Sequence, residues 1–231
     1  MDITQLFGIE LPLIQAPMAG AQDAALAIAV SNAGGLGSLP CAMLSPDKLR
    51  AELEVIRAAT DKPVNLNFFA HTPPIADPQW EQQWRKQLQP YYEHYGIDAQ
   101  KIAAGPGRNP FDSEMAAIIE EYRPAVVSFH FGLPAPGLLQ RVRNSGCKVL
   151  SSATTVAEAL WLEQQGVDAI IAQGLEAGGH RGFFLSRDLN SQSGTMALLP
   201  QMLAATGVPG IAAGGIADRR GIAGALAMGA A

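Results

Sequence analysis

Ala169-Ile170-Ile171-Ala172-Gln173-Gly174-Leu175-Glu176-Ala177-Gly178-Gly179-His180-Arg181-Gly182 passes from a short apolar run straight into a glycine-rich loop carrying one histidine. The apolar run is what a parallel strand shows when both of its faces are covered. The loop therefore leaves the carboxyl end of a strand, the edge at which parallel α/β folds gather their ligands. Glycines there let backbone N–H groups approach an anionic or planar ligand without interference from a Cβ atom, and His180 would point at that ligand. Taken alone, G-G-H also describes an ordinary solvated turn, so the flanking segments decide.

Outward from this stretch the chain alternates apolar strands with amphipathic helices. Leu11 to Ala16 reads as a first strand and Leu36 to Leu39 as a second, separated by a helix that Asp23 caps and Gly34-Gly35 ends. Ser45 before Pro46 is an N-cap with proline at the first helical position, and Leu49, Leu53 and Ile56 share one face of the helix that follows. Pro63 to Phe69, Ala125 to Phe131, Lys148 to Ala153, Ala169 to Gln173 and Val208 to Ala213 are the remaining strands. Met115, Ile118, Ile119 and Tyr122 mark a helix that must stop before Pro124. Thr155 and Glu158 read as a capping box, and Asp218 caps a last helix ending near Met228-Gly229. Seven strand-helix units with no switch in order predict a (β/α)8 barrel, one domain over residues 1–231, with the eighth strand missing at Gly229-Ala230-Ala231.

One connection is too long for such a fold. Residues 70–112 form a helical insertion after the third strand, placed as a lid, where most barrels have a loop of a few residues. Trp80, Trp84, Tyr91, Tyr92 and Tyr95 lie in it. Trp80 and Trp84, four apart, would share a helix face, either docking the insertion onto the barrel or touching a substrate.

Composition excludes several classes. With 48% hydrophobic and 16% charged residues in 231, the chain is long enough for a sizeable core. A net charge of -5 without a Lys/Arg cluster argues against nucleic acid or an anionic membrane as partner. Met1-Asp2 opens no signal sequence and no stretch matches a membrane span, which predicts a cytoplasmic protein. Cys41 and Cys147 stand far apart, which predicts reduced packing residues, and no His, Asp, Glu or Cys trio has metal-ligand spacing.

In the barrel, the carboxyl-end segments Gln15 to Met18, Asn65 to Asn67, Ser128 to Gly132 and the His180 loop stand together. Gly214-Gly215 before the helix capped by Asp218 is a phosphate-binding arrangement, since N–H groups and the helix dipole converge there. The motifs Q-A-P-M-A-G at Gln15 to Gly20, N-A-G-G-L-G at Asn32 to Gly37, N-L-N-F-F at Asn65 to Phe69, S-F-H-F-G at Ser128 to Gly132, E-A-G-G-H-R-G at Glu176 to Gly182 and A-A-G-G-I-A at Ala212 to Ala217 follow one another along the whole chain. In this order and spacing the chain resembles the nitronate monooxygenases, formerly called 2-nitropropane dioxygenases. The resemblance implies non-covalent FMN lying against Ala16, Pro17 and Met18, with Asn67 and Gln173 hydrogen-bonding the flavin and Gly178, Gly214 and Gly215 supplying backbone contacts.

The resemblance also implies His180 as catalytic base, a nitronate or nitroalkane and dioxygen as small-molecule partners, and a homodimer as one candidate assembly. His180 would take the proton α to the nitro group of a neutral substrate, or, protonated, stabilise a preformed nitronate. His130 would bind the nitro oxygens, whereas His71 and His94 are expected to be solvated. Members of the family continue into an eighth strand with a Q-x-G-T-like motif, so the resemblance implies a truncated chain here. Flavin-dependent enoyl-acyl carrier protein reductases also carry E-A-G-G-H, but they read Q-G-G-M in place of Gln15 to Met18 and lack S-F-H-F-G. A flavin-binding barrel without turnover is the alternative of a different class.

Overall fold

In a computed structural model of the chain, residues 2–102 and 108–231 are described. Along them run α1 (Ile3–Phe7), α2 (Ala24–Asn32), β1 (Gly37–Pro40), α3 (Pro46–Ala59), β2 (Val64–Phe69), α4 (Pro78–Tyr95), α5 (Ser113–Tyr122) and β3 (Val126–His130). There follow α6 (Pro136–Asn144), β4 (Lys148–Ala153), α7 (Val156–Gln164), β5 (Ala169–Gln173), α8 (Thr195–Ala205), β6 (Gly210–Ala213) and α9 (Arg219–Ala227). The six strands form one parallel sheet in sequential order, β1 to β6. Sequential order with right-handed crossovers curls such a sheet, and here it makes a half-barrel.

Its two faces follow from the two-residue period of a strand. Leu66, Phe68, Val127, Phe129, Val149, Ile170 and Ala172 face outward and pack beneath the helices, against Leu49 and Leu53 of α3, Ile118 and Ile119 of α5, Leu162 of α7 and Leu199 and Met202 of α8. The alternate residues face the concave side. At the amino ends these are apolar: Leu36, Val126, Leu150 and Ala169 close around Ile3 and Phe7 of α1, which plugs the bottom. Toward the carboxyl ends the same face turns polar, Val126 giving way to Ser128 and His130, Leu150 to Ser152, and Ile171 to Gln173.

The caps behave as their sequences predict. Asp23, Ser45, Thr155 and Asp218 accept from first-turn N–H groups. The expected first strand, Leu11 to Ala16, is reduced to one bridge, Ile14 to Leu36. Pro12 and Pro17 supply no N–H and bracket the only residues able to pair, and Leu11 and Leu13 are exposed. The long insertion is present, and its ends are joined where they leave β2: Phe111 N–H donates to Phe69 O, and His71 Nε2 lies 2.9 Å from Arg108 O. Residues 103–107 of it lie outside the described residues. Trp80 and Trp84 share a face of α4, but they do not dock the helix on the sheet, since they are 75% and 60% exposed.

Candidate functional site at the carboxyl edge

The loop after β5 is held by its neighbours through the His180 backbone. Gln173 Nε2 and His130 Nε2 both donate to His180 O at 2.9 Å, and Gln173 Oε1 accepts from Gly182 N–H at 2.7 Å. Because a carbonyl only accepts, His130 carries its proton on Nε2, and its Nδ1 receives the Ser152 hydroxyl at 2.6 Å. Burial, the dominant cause, pushes the His130 pKa below the ordinary histidine value, against the opposing pull of its hydrogen bond to the His180 carbonyl. His130 is therefore neutral near pH 7.

The His180 imidazole stands exposed above this clamp, edge-on to Phe69 at 5.5 Å and to Phe131 at 5.9 Å between ring centroids. Phe131 reaches that place from a left-handed backbone, φ 68°, which is uncommon for a bulky residue and costs of order 1–3 kcal/mol. His71 packs on the far side of the same pair, 6.2 Å from Phe69 and 6.1 Å from Phe131. It is a packed residue and not the solvated one its sequence context predicts.

Two carboxylates that the sequence reading did not place at the site fix the rest of the loop. Glu158, 1% exposed, accepts from Thr154 N–H and hydroxyl through one oxygen and from Phe184 and Leu185 N–H through the other. Thr155 does cap Glu158 N–H, but the reciprocal half of the expected capping box is absent because this carboxylate is spent on the segment after His180. Glu176 accepts from Thr195 N–H and hydroxyl at the start of α8, which holds its carboxyl below the usual range. The single Thr195 hydroxyl proton also has the Ala213 and Gly214 carbonyls within reach as alternative acceptors, which brings the His180 loop and the β6 turn to one hydroxyl.

That turn fits an anion. Gly214 and Gly215 have φ of 113° and 71°, and Cβ atoms there would lie 3.0 Å from Ala177 N and 2.7 Å from Glu176 Cβ. Only glycine fits both conformation and space. Among the described residues, the N–H groups of Gly178, Gly179, Gly215 and Ile216 have no protein acceptor. At the α9 start itself, Asp218 already takes the Arg220 and Gly221 N–H groups, so the open donors are those of the two loops.

The remaining sequence candidates arrive at the same rim. Gln15 exchanges hydrogen bonds with Ser38 of β1, which leaves Ala16 and Met18 exposed beside Pro17. Asn67 is buried and donates to Ser128 Oγ at 2.9 Å. Both ring nitrogens of His130 and both ends of the Gln173 amide are engaged by protein, with one Gln173 N–H to spare. His94 lies apart, against Tyr95 in α4. Among the described residues no three His, Cys, Asp or Glu side chains converge as a metal site, and no helix is long and apolar enough to cross a membrane.

A parallel half-barrel with its open donors, histidine loop and glycine pair at one carboxyl edge is an α/β domain of the barrel kind. The chain belongs to the nitronate monooxygenase family, whose profile matches residues 2–231. That family is in general flavin-dependent. Nitronate monooxygenases of Paraburkholderia phytofirmans and Pseudomonas aeruginosa are 47% and 44% identical over 97% and 98% of this chain. The chain spans 62% and 65% of their lengths. Nitroalkane oxidase from Streptomyces ansochromogenes superposes with a TM-score of 0.87 at 35% identity, covering 99% of this chain and 65% of that one. FabK from Thermotoga maritima gives 0.71 at 30%, covering 99% and 58%.

Proposed function

We propose that this carboxyl edge binds FMN and serves the oxidation of alkyl nitronates or nitroalkanes by dioxygen to carbonyl compounds and nitrite. The observation that carries this reading is the exposed His180 imidazole, held through its own carbonyl on the loop that carries the open N–H groups of Gly178 and Gly179, with the Gly215 turn packed against Glu176 of the same loop. The glycine pair, which no Cβ-bearing residue could replace, fits a phosphate. In this reading Ala16, Pro17 and Met18 lie against the flavin ring, and Asn67 and the spare N–H of Gln173 hydrogen-bond it. Bound flavin would supply the electron transfer between substrate and dioxygen.

The chain's own residues place and protonate. Neutral His180 takes the α-proton of a nitroalkane, and protonated it offsets the charge of a preformed nitronate, so the two substrate forms call on opposite protonation states. For His130 to bind the nitro oxygens, its ring would have to give up a protein partner, since both nitrogens are engaged. The insertion 70–112 is read as a lid over the site; its described ends meet on this rim, where Phe111 N–H donates to Phe69 O. The closed (β/α)8 barrel is the finer reading of the half-barrel. It is supported by the likeness to the nitroalkane oxidase and by Ala231 N–H, which donates to Gly210 O along the β6 edge. A cytoplasmic location, and a homodimer as candidate assembly, belong to the same reading.

Anaerobic mixing of the flavin-loaded protein with a nitronate, NADH or NADPH tests the assignment. Flavin bleaching by the nitronate and slow or no bleaching by the nucleotides is expected. Rapid bleaching by NADH or NADPH with no response to nitronate would favour the enoyl reductase chemistry instead. A protein that cannot be loaded with flavin at all would sink both.

A further inference from the structure

The His180 imidazole has no hydrogen-bond partner of its own among the described residues; it meets only the edges of Phe69 and Phe131. It is also carried by a loop whose glycines, Gly178, Gly179 and Gly182, give the free backbone many conformations. A group that must meet a reacting atom needs one position, and here that position is set through the main chain. Gln173 from β5 and His130 from β3 both donate to the His180 carbonyl at 2.9 Å, and Ser152 from β4 meets the other nitrogen of the His130 ring at 2.6 Å. The loop lies directly on this pair: a Cβ at Gly182 would fall 2.5 Å from Ser152 Oγ and 2.6 Å from His130 Cε1.

We propose that His130 is a positioning residue: backed by Ser152 and joined by Gln173, it clamps the His180 carbonyl and so aims the His180 imidazole, and it does not itself bind substrate. This deepens the reading of His180 as the proton-transfer group and rests on it. The clamp has a direction. The Ser152 hydroxyl proton occupies Nδ1, which keeps the ring proton on Nε2 facing the carbonyl. A strand-end histidine thereby acts on the site through backbone, from below the loop.

Glutamine can place an amide nitrogen near the Nε2 position and asparagine near Nδ1, so the two substitutions separate the donor that matters. In the flavin-loaded protein, His130→Gln, His130→Asn, His130→Phe and Ser152→Ala would be compared by hydrogen exchange at the Gly182 amide and by kcat and KM on a neutral nitroalkane. His130→Phe and His130→Asn should speed Gly182 exchange at least about ten-fold and lower kcat about 10²-fold, the usual effect of misplacing a reacting group by an ångström, with KM little changed. His130→Gln should recover most of both, and Ser152→Ala should fall between. Unchanged Gly182 exchange in the Phe and Asn variants, with KM raised about ten-fold or more, would make His130 a substrate ligand and overturn the proposal. Equal loss in the Gln and Asn variants would also overturn it. If the unsubstituted protein turns over no nitro compound, the functional reading fails, while Gly182 exchange still decides whether the clamp exists.

Discussion

The His180 carbonyl accepts two side-chain N–H bonds while its imidazole is left exposed, so the residue's position and its chemistry are separable. Replacing His180 by Asn keeps a polar side chain and the carbonyl clamp but removes a group that exchanges protons. Activity on neutral nitroalkanes should then fall by about 10²- to 10⁴-fold, the usual worth of a general base, while preformed nitronates, whose α-proton is already gone, lose only the charge offset and keep much of theirs. Steady-state rates on the two substrate forms check this; equal loss on both would assign His180 to charge stabilisation. His130 carries a different prediction. Its folded pKa lies below the ordinary value of about 6.5, so below that pH the unfolded chain binds a proton that the folded ring refuses. Stability should therefore be full above pH about 6.5 and fall as pH drops toward the folded pKa, with His180 and Glu158 as the charged neighbours that modulate the step. Urea midpoints between pH 7 and 5 should drop less in His130→Gln than in the unsubstituted protein; identical pH slopes would remove His130 from the account. The motifs brought both histidines to one rim, but motif reading assigns a strand-end histidine to the ligand because it cannot see a carbonyl that lies 50 residues further along the chain.

At the scale of elements, two carboxylates, one buried and one exposed, connect pieces that the chain order separates. Glu158 belongs to the first turn of α7 and holds the segment beyond His180, and Glu176 belongs to the loop and holds the start of α8. Converting Glu158 to Gln would turn an NH2 group toward buried N–H donors on one side, and leaving such donors unsatisfied costs about 1–3 kcal/mol or more. Urea unfolding should show that loss together with faster proteolysis near Leu185; an unchanged midpoint would mean that the contacts are re-formed with water. Gly215→Ala tests the other end of the loop. It adds a Cβ 2.7 Å from Glu176 Cβ at a φ of 71°, so flavin affinity should weaken at least about ten-fold by fluorescence titration, since the N–H groups offered to an anion must shift. The caps of α2, α3, α7 and α9 were legible because an Asp, Ser or Thr acts on N–H groups two or three residues away. The Glu158 contact was not, because the same spacing that spells a capping box also suits a carboxylate turned to a distant loop. Among helices, α1 escaped reading because five residues carry no period, and α8 because its mean apolarity leaves no distinct stripe and Pro200 interrupts it.

For the molecule as a whole, strand order was legible because seven apolar runs alternate with helical patterns and never reverse, which is what a sequentially ordered parallel sheet requires. What the runs concealed is the gradient on the concave face. The motifs set Asn67, Ser128 and His130 together at the carboxyl edge, yet only the assembled sheet shows that Ser152 joins them and that Leu36, Val126, Leu150 and Ala169 close the other end. The apolar end is closed by α1, a helix too short to be stable by itself, so its contribution is packing: Ile3 is 1% and Phe7 4% exposed against four strands. The site and the plug thus occupy opposite ends of one curved face, and the molecule's stability and its chemistry are drawn from different layers. Phe7→Ala should cost about 3–5 kcal/mol through lost burial and the cavity left behind. Chemical denaturation would report that loss, while the flavin affinity of the protein that remains folded should stay as before, since Phe7 packs with the amino-end cluster. A midpoint shift of less than about 1 kcal/mol would mean that α1 is an appendage and that the concave core closes without it. Loss of flavin binding in parallel with stability would instead show that the two ends of the half-barrel are coupled through the strands.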